Sequence, residues 1–352
     1  MPIEGAGSTM MGNWWRVFGR ERATESPAPR PAASHPVLPV DALPEPPTIP
    51  CDEIAERFFR FILNQPVSAG DSPNKPREQA ILQRLRDQCD SGRFDIRSLP
   101  RMPTVLPQLM RAMKNDKLSG AQLADLIRRD PVLVGEVMRV TGSVTYRTAH
   151  PIGSLQHAVV LLGQIGLRHV VTSYVMKPIL MASTGANGQV VGQRLWDHAE
   201  RCGHAAVYLS KGQCDAFEAY LVALMGYSGL GAVGRLLDRE LQHTELPASS
   251  SAFIEECVQL AAQLTVQAGQ HWELPPTVQE ALIEHAQHGS AALTLPMSRV
   301  LHVAQRLAMY QLLTEQGLLD RDSGYGNDPI ATFPPQLLAR CRQDLRQSFD
   351  AQ

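Results

Sequence analysis

The stretch ALMGYSGLGAVG, residues 223–234, admits two folds. Gly229, Gly231 and Gly234 stand in the order G-x-G-x-x-G, and the apolar run from Tyr220 to Met225 lies where a dinucleotide-binding turn needs its strand. That reading requires a βαβ unit with an acidic residue about 20 positions on, at the end of a second strand. Glu255 and Glu256 lie near that distance, but inside AFIEECVQLAAQL, a helical pattern. No second strand is available there. The glycines therefore need another explanation, and the chain around them supplies an all-α one.

Upstream, DEIAERFFRFILNQP places Ile54, Phe58, Phe61 and Ile62 at i, i+4, i+7 and i+8, with Asp52 and Glu53 in the first turn and Pro66 beyond the end. REQAILQRLRDQC is a second amphipathic segment. SGAQLADLIRRDPVLVGEVMRVTGS reads as two short helices, Ser119 capping the first and Asp130-Pro131 separating them. Ser154 is placed to cap a helix carrying Leu155, Ala158, Val159 and Leu162, and Leu195, Ala199, Cys202, Ala206 and Leu209 form a further stripe. The segments 253–270, 276–288, 296–314 and 334–348 behave alike, and strand alternation is hard to find. The expectation is a multi-helix, all-α bundle.

The first fifty residues differ. Nine prolines between Pro27 and Pro50 exclude helix and disfavour a sheet interior, so 21–50 reads as a flexible Pro/Ala-rich linker. In front of it, residues 1–20 form a short tip in which Trp14, Trp15 and Phe18 cluster, a candidate docking element. Residues 51–94 are expected to pack as N-terminal helices on the main domain at 95–312, with a C-terminal loop and helix at 313–352.

The formal net charge of −2 gives no global footprint for nucleic acid or an anionic membrane. Six scattered cysteines without a C-x-x-C argue against a zinc knuckle and a compact disulfide framework. The sequence offers no leader-like apolar region and no run of 18 or more apolar residues, so the expectation is a cytoplasmic protein without a transmembrane segment. A helix-turn-helix over 119–143, with Arg128 and Arg129 nearby, is weakened by a second helix whose Val132, Leu133, Val134, Val137 and Met138 look like core, and no DNA binding is expected. DRDSGYGND (320–328) echoes a calcium loop, but the position of its bidentate carboxylate falls on Ala331. His285 and His288 are i, i+3 neighbours, whereas His198 and His204 face different ways on one helix.

Several segments in order carry a resemblance: SLPRMPTVLPQLMRAM, SGAQLADLIRRDPVLVGEVMRV, PIGSLQHAVVLLGQIGLRHVV and LWDHA, then DAFEAYLVALMGYSGLGAV, HWELPPTVQEALIEHA and RVLHVAQRLA. Over about 95–312 the chain resembles the HDOD domain (HD-related output domain), an all-helical relative of the HD phosphohydrolases found in bacterial signalling proteins and regarded as regulatory. The resemblance implies where a catalytic relative holds its divalent cation: a His, a His-Asp doublet and a distant Asp, which activate a metal-bound water. The first His falls on His198. The doublet falls on Gly226 and Tyr227, followed by Ser228, and the distant Asp on Gln305. The paired histidines expected later become His285-Ala286. One imidazole and no carboxylate remain.

The resemblance thus implies a non-enzymatic signalling or regulatory protein, without cofactor or metal, that binds a partner protein or a small signalling ligand. His198, Gly226, Tyr227, Ser228 and Gln305 are expected to line a vestigial cleft. The rival expectations are a metal-dependent phosphohydrolase rebuilt from His198, His204, His285 or His288, and a nucleic-acid-binding regulator. Partner identity and oligomeric state are left open.

Overall fold

A computed structural model of the chain describes residues 48–49, 51–65, 75–90, 120–128, 130–141, 154–181, 186–241, 249–288, 293–320, 324–325 and 333–349. The aromatic tip, nearly all of the proline-rich linker, Ser119, Arg129, Ala331 and the side chain of His288 lie outside the described residues.

Twelve helices make up nearly all of the described structure: α1 (Cys51–Ile62), α2 (Lys75–Asp90), α3 (Gly120–Ile127), α4 (Pro131–Thr141), α5 (Leu155–Met181), α6 (Ala186–Leu209), α7 (Ala216–Met225), α8 (Ser228–Leu241), α9 (Ser251–His271), α10 (Pro276–His288), α11 (Pro296–Glu315) and α12 (Pro335–Phe349). The only strands among the described residues are β1 (Thr48–Ile49) and β2 (Gly324–Tyr325), paired in parallel. The fold is all-α. β2 falls within the stretch that echoes a calcium loop, so part of that stretch pairs with the chain entering α1.

Local chemistry sets several helix starts. Ser154 Oγ accepts from the His157 amide at 3.1 Å, and Asp130 Oδ1 accepts from Val132 and Leu133 at 3.0 and 3.1 Å. Asp215 caps α7 through the Glu218 amide, and Ser250 caps α9 through Phe253.

Helix α6 is the hub, packing on α5, α7, α8, α11 and α12. Helix α7 is buried almost all round, from Phe217 to Met225. Together α7 and α8 form an apolar run, Ala216–Arg239, long and apolar enough to cross a membrane, yet 78% of its apolar window is buried inside the fold. Here that composition serves the core. In α4, Leu133 and Val137 are core, but Val132 is 65% exposed, which corrects the expectation for that residue. Pro131 and Val132 occupy the solvent side of the first turn that Asp130 caps.

The G-x-G-x-x-G glycines all lie on α8. A Cβ on Gly229 would sit 1.9 Å from the Ala261 carbonyl oxygen of α9, and one on Gly234 would sit 3.0 Å from Val191 Cγ1 of α6. The Gly229 amide donates to Thr265 Oγ1 at 3.0 Å. A spacing that resembles a phosphate turn is here the packing surface of a helix wedged between two others.

Helix α12 is fixed to α6 by polar contacts in a largely buried seam. His204 Nε2 meets Asp344 Oδ2 at 2.6 Å, and the Arg201 guanidinium lies 4.5 Å from the Phe349 ring centroid while pairing with Glu315 of α11. His204 therefore faces away from His198, as their spacing predicts.

Candidate functional site

Four of the five expected cleft residues meet where α6, the α7–α8 turn and α11 converge. His198 projects from the middle of α6 and is 1% exposed. Its Nε2 lies 3.4 Å from the backbone carbonyl of Gln305, a contact in which the imidazole N–H donates. Burial, opposed by that hydrogen bond, lowers its pKa to about 3, so the ring is neutral at pH 7. Tyr227 follows α7 in the turn, its ring centroid 5.2 Å from that of His198. Burial drives its phenol pKa far upward, so it too is neutral.

Gly226 and Gln305 fit each other. A Cβ on Gly226 would lie 2.5 Å from Gln305 Nε2. The amide of Gln305 fills the volume into which any side chain at position 226 would project. Ser228 opens α8 behind Tyr227; its hydroxyl is buried and has no hydrogen-bond partner among the described residues. It forms no hydrogen bond to His198, Tyr227 or Gln305 there.

Four residues outside the five expected cleft residues complete the constellation. His302 lies one turn before Gln305 on α11, and its ring centroid is 6.1 Å from that of His285 on α10. Burial, with His302 adding to it, lowers the pKa of His285 to about 4, against the opposing influence of the Gln305 side chain and Glu284. Phe58 of α1 closes the other side. It is fully buried, with its ring centroid 4.7 Å from His198 and 5.9 Å from Tyr227. Phe59 meets Tyr227 edge-on at 5.6 Å. The void left beside His198 and Tyr227, walled by Leu180, Leu195 and Ala223, is too small to admit a water molecule.

The sequence signal for Phe58 was its place in the stripe Ile54, Phe58, Phe61 and Ile62, which marks a buried face without telling which neighbour receives it. Of these four, Phe61 is only half-buried, which corrects the expectation for that residue. No sequence signal pointed to His302, whose ring neighbour His285 lies on a different helix.

These residues do not fit a divalent cation. A hard cation needs several oxygen or imidazole donors, carboxylates among them. His198, Gly226, Tyr227 and Gln305 provide one neutral imidazole, no side chain, a protonated phenol and an uncharged amide. The remaining space is taken by Phe58. Among the described residues no three His, Cys, Asp or Glu side chains converge as a metal site.

The chain matches the HDOD domain family over residues 99–288. No curated protein sequence matches it. Its fold is similar to a crystal structure from Marinobacter aquaeolei VT8 whose name provisionally assigns it to signal transduction, at 16% identity and TM-score 0.52. That similarity covers 84% of this chain and 63% of the other. It is also similar to a structure from Shewanella amazonensis SB2B provisionally named a phosphohydrolase, at 17% identity and TM-score 0.50, covering 76% of this chain and 93% of that one.

Proposed function

The chain belongs to the HDOD family, and on that premise we propose that it is a non-enzymatic regulatory protein that acts by binding, its ancestral metal site replaced by packing. The observation that carries this reading is the seal around His198. Phe58 lies against the imidazole on one side, Tyr227 stands where a doublet carboxylate belongs, and the Gly226–Gln305 pair fills the space of its neighbour. Water cannot reach the void, so there is neither a nucleophile nor room for a phosphoester.

Loss of a single ligand can be compensated by a nearby group. Here three positions have changed, and the space has been refilled with apolar and neutral side chains. Restoring one carboxylate would bury an unpaired charge, which costs several kcal/mol.

The test is metal analysis of the purified full chain, with turnover assays on phosphoesters and cyclic dinucleotides in added manganese or magnesium. The expected result is no stoichiometric metal and no turnover above the same assay with His198→Ala. Stoichiometric metal together with turnover that His198→Ala abolishes overturns the reading and restores the phosphohydrolase named for the Shewanella relative.

A further inference from the structure

Helix α1 has two faces. Ile54, Phe58 and Ile62 point into the core. Glu53, Glu56, Arg57, Arg60, Phe61 and Asn64 fall at i, i+3, i+4, i+7, i+8 and i+11, one adjoining stripe. This second stripe is one wall of an open groove of about 850 Å³, within the size range of small-molecule sites. The other walls come from Arg194 of α6, Ser251 at the start of α9, and Leu318 after α11.

The charges in this groove do not cancel. Glu53 pairs with Arg57 at 2.5 Å and Glu56 with Arg60 at 2.8 Å. Arg60 is 4% exposed and also donates to the Ser249 carbonyl at 2.8 Å, so it is committed to structure. Arg194 has no carboxylate partner among the described residues. Its Nη1 donates to the Phe61 carbonyl and, at 3.0 Å, to Asn64 Oδ1, and its guanidinium lies 4.2 Å from the Phe61 ring centroid. Nε and Nη2 have no hydrogen-bond partner among the described residues. Burial lowers the pKa of Arg194, the direction expected of a cation not matched by an anion.

We propose that this groove binds a small organic phosphate, a phosphate monoester on a hydroxylated body of mononucleotide size, with Arg194 and Arg57 holding the phosphate. A guanidinium presents two parallel donors to a tetrahedral oxyanion. Arg57 is 40% exposed, and its Nη1 donates to the Leu318 carbonyl at 3.4 Å. Its Nη2 is held only by the i, i+4 surface pair with Glu53, a contact of small net worth, so Nη2 can turn from Glu53 to a bound anion. At the other end, Ser251 Oγ donates to Glu56 Oε1 at 2.6 Å, which leaves the second carboxylate oxygen of Glu56 to accept from a ligand hydroxyl. Phe61 and Leu318 supply apolar lining to the groove. A ligand spanning Arg194 and Arg57 ties α1 to α6 on the face of α1 that adjoins the one carrying Phe58.

The experiment titrates the full chain with a nucleoside 5′-monophosphate, the matching uncharged nucleoside and inorganic phosphate, by calorimetry and phosphorus NMR. The nucleotide is expected to bind saturably and raise Tm, with the nucleoside and inorganic phosphate each at least tenfold weaker. Arg194→Gln is expected to weaken nucleotide binding at least tenfold. Because Arg194 also bonds the end of α1, Arg57→Gln provides a second variant, expected to weaken binding at least threefold with the fold unchanged by circular dichroism. The proposal fails if the nucleotide does not saturate, if the nucleoside or inorganic phosphate binds as tightly, or if Arg57→Gln leaves nucleotide affinity unchanged. This site does not involve His198, so metal-dependent turnover would overturn the proposed function and leave groove binding standing, and the reverse holds equally.

Discussion

At the scale of single residues, two glycines separate packing from chemistry. Gly229 sits against backbone: its added Cβ would meet the Ala261 carbonyl oxygen at 1.9 Å, and a helix cannot move its carbonyl without disturbing its ladder. Gly226 sits against the end of a flexible side chain, Gln305 Nε2 at 2.5 Å. Gly229→Ala should therefore cost about 3 kcal/mol or more, at or above the top of the usual overpacking range, and Gly226→Ala only about 1–2 kcal/mol. The second cost should largely vanish in a Gln305→Ala background, because the clash is with that amide. Urea unfolding of the four proteins in this cycle, with Gly229→Ala alongside, measures both effects. A Gly226→Ala cost undiminished by Gln305→Ala would mean that the two residues do not compete for one volume.

At the scale of elements, α1 shows what periodicity reveals and what it leaves hidden. Most helix segments were legible because their buried stripes repeat at 3.6 residues: 253–270, 276–288, 296–314 and 334–348 are observed as 251–271, 276–288, 296–315 and 335–349. The stripe on α1 was legible for the same reason, but a stripe carries no address. That Phe58 would seal His198 depends on tertiary packing between segments far apart in sequence. The glycines of α8 were ambiguous because close helix packing and phosphate cradling both select residues without a side chain. If Phe58 is the plug, Phe58→Ala should cost about 3–5 kcal/mol and open a cavity beside His198. Phe58→Leu should cost much less because it keeps apolar volume there. Urea midpoints test the energies. The imidazole proton resonances of His198 test the site: in Phe58→Ala they should begin to titrate nearer the ordinary histidine range, while in the unaltered chain they should not titrate at pH 5–7. A Phe58→Ala protein with unchanged stability would show that α1 does not seal the pocket.

At the scale of the whole molecule, the core carries an acid liability built from buried neutral histidines. His169 and His198 are each lowered to about 3 and His285 to about 4, in all three chiefly by burial. The unfolded chain binds a proton at each near the ordinary pKa of 6.5, and the folded chain does not until far lower pH. Stability contributed by the neutral rings is therefore full above pH 6.5 and is lost as pH falls from there toward 3–4. Each ring contributes a slope of up to about 1.4 kcal/mol per pH unit. Glu200 works in the opposite sense: burial raises its carboxyl pKa despite the nearby Lys177 and Arg201 charges, so the fold gains stability from its protonation as pH falls. With one histidine's slope offset, at most about 3 kcal/mol per pH unit remains, approached as pH falls toward 5 and large against a typical total of about 5–15 kcal/mol. The urea midpoint should consequently drop steeply between pH 7 and 5, before most surface carboxylates protonate. His198→Phe should flatten that slope by about one histidine's share, whatever it does to the absolute midpoint. A midpoint constant from pH 7 to 5 would show that these rings are not held neutral by the core, and the seal around His198 would lose its electrostatic basis.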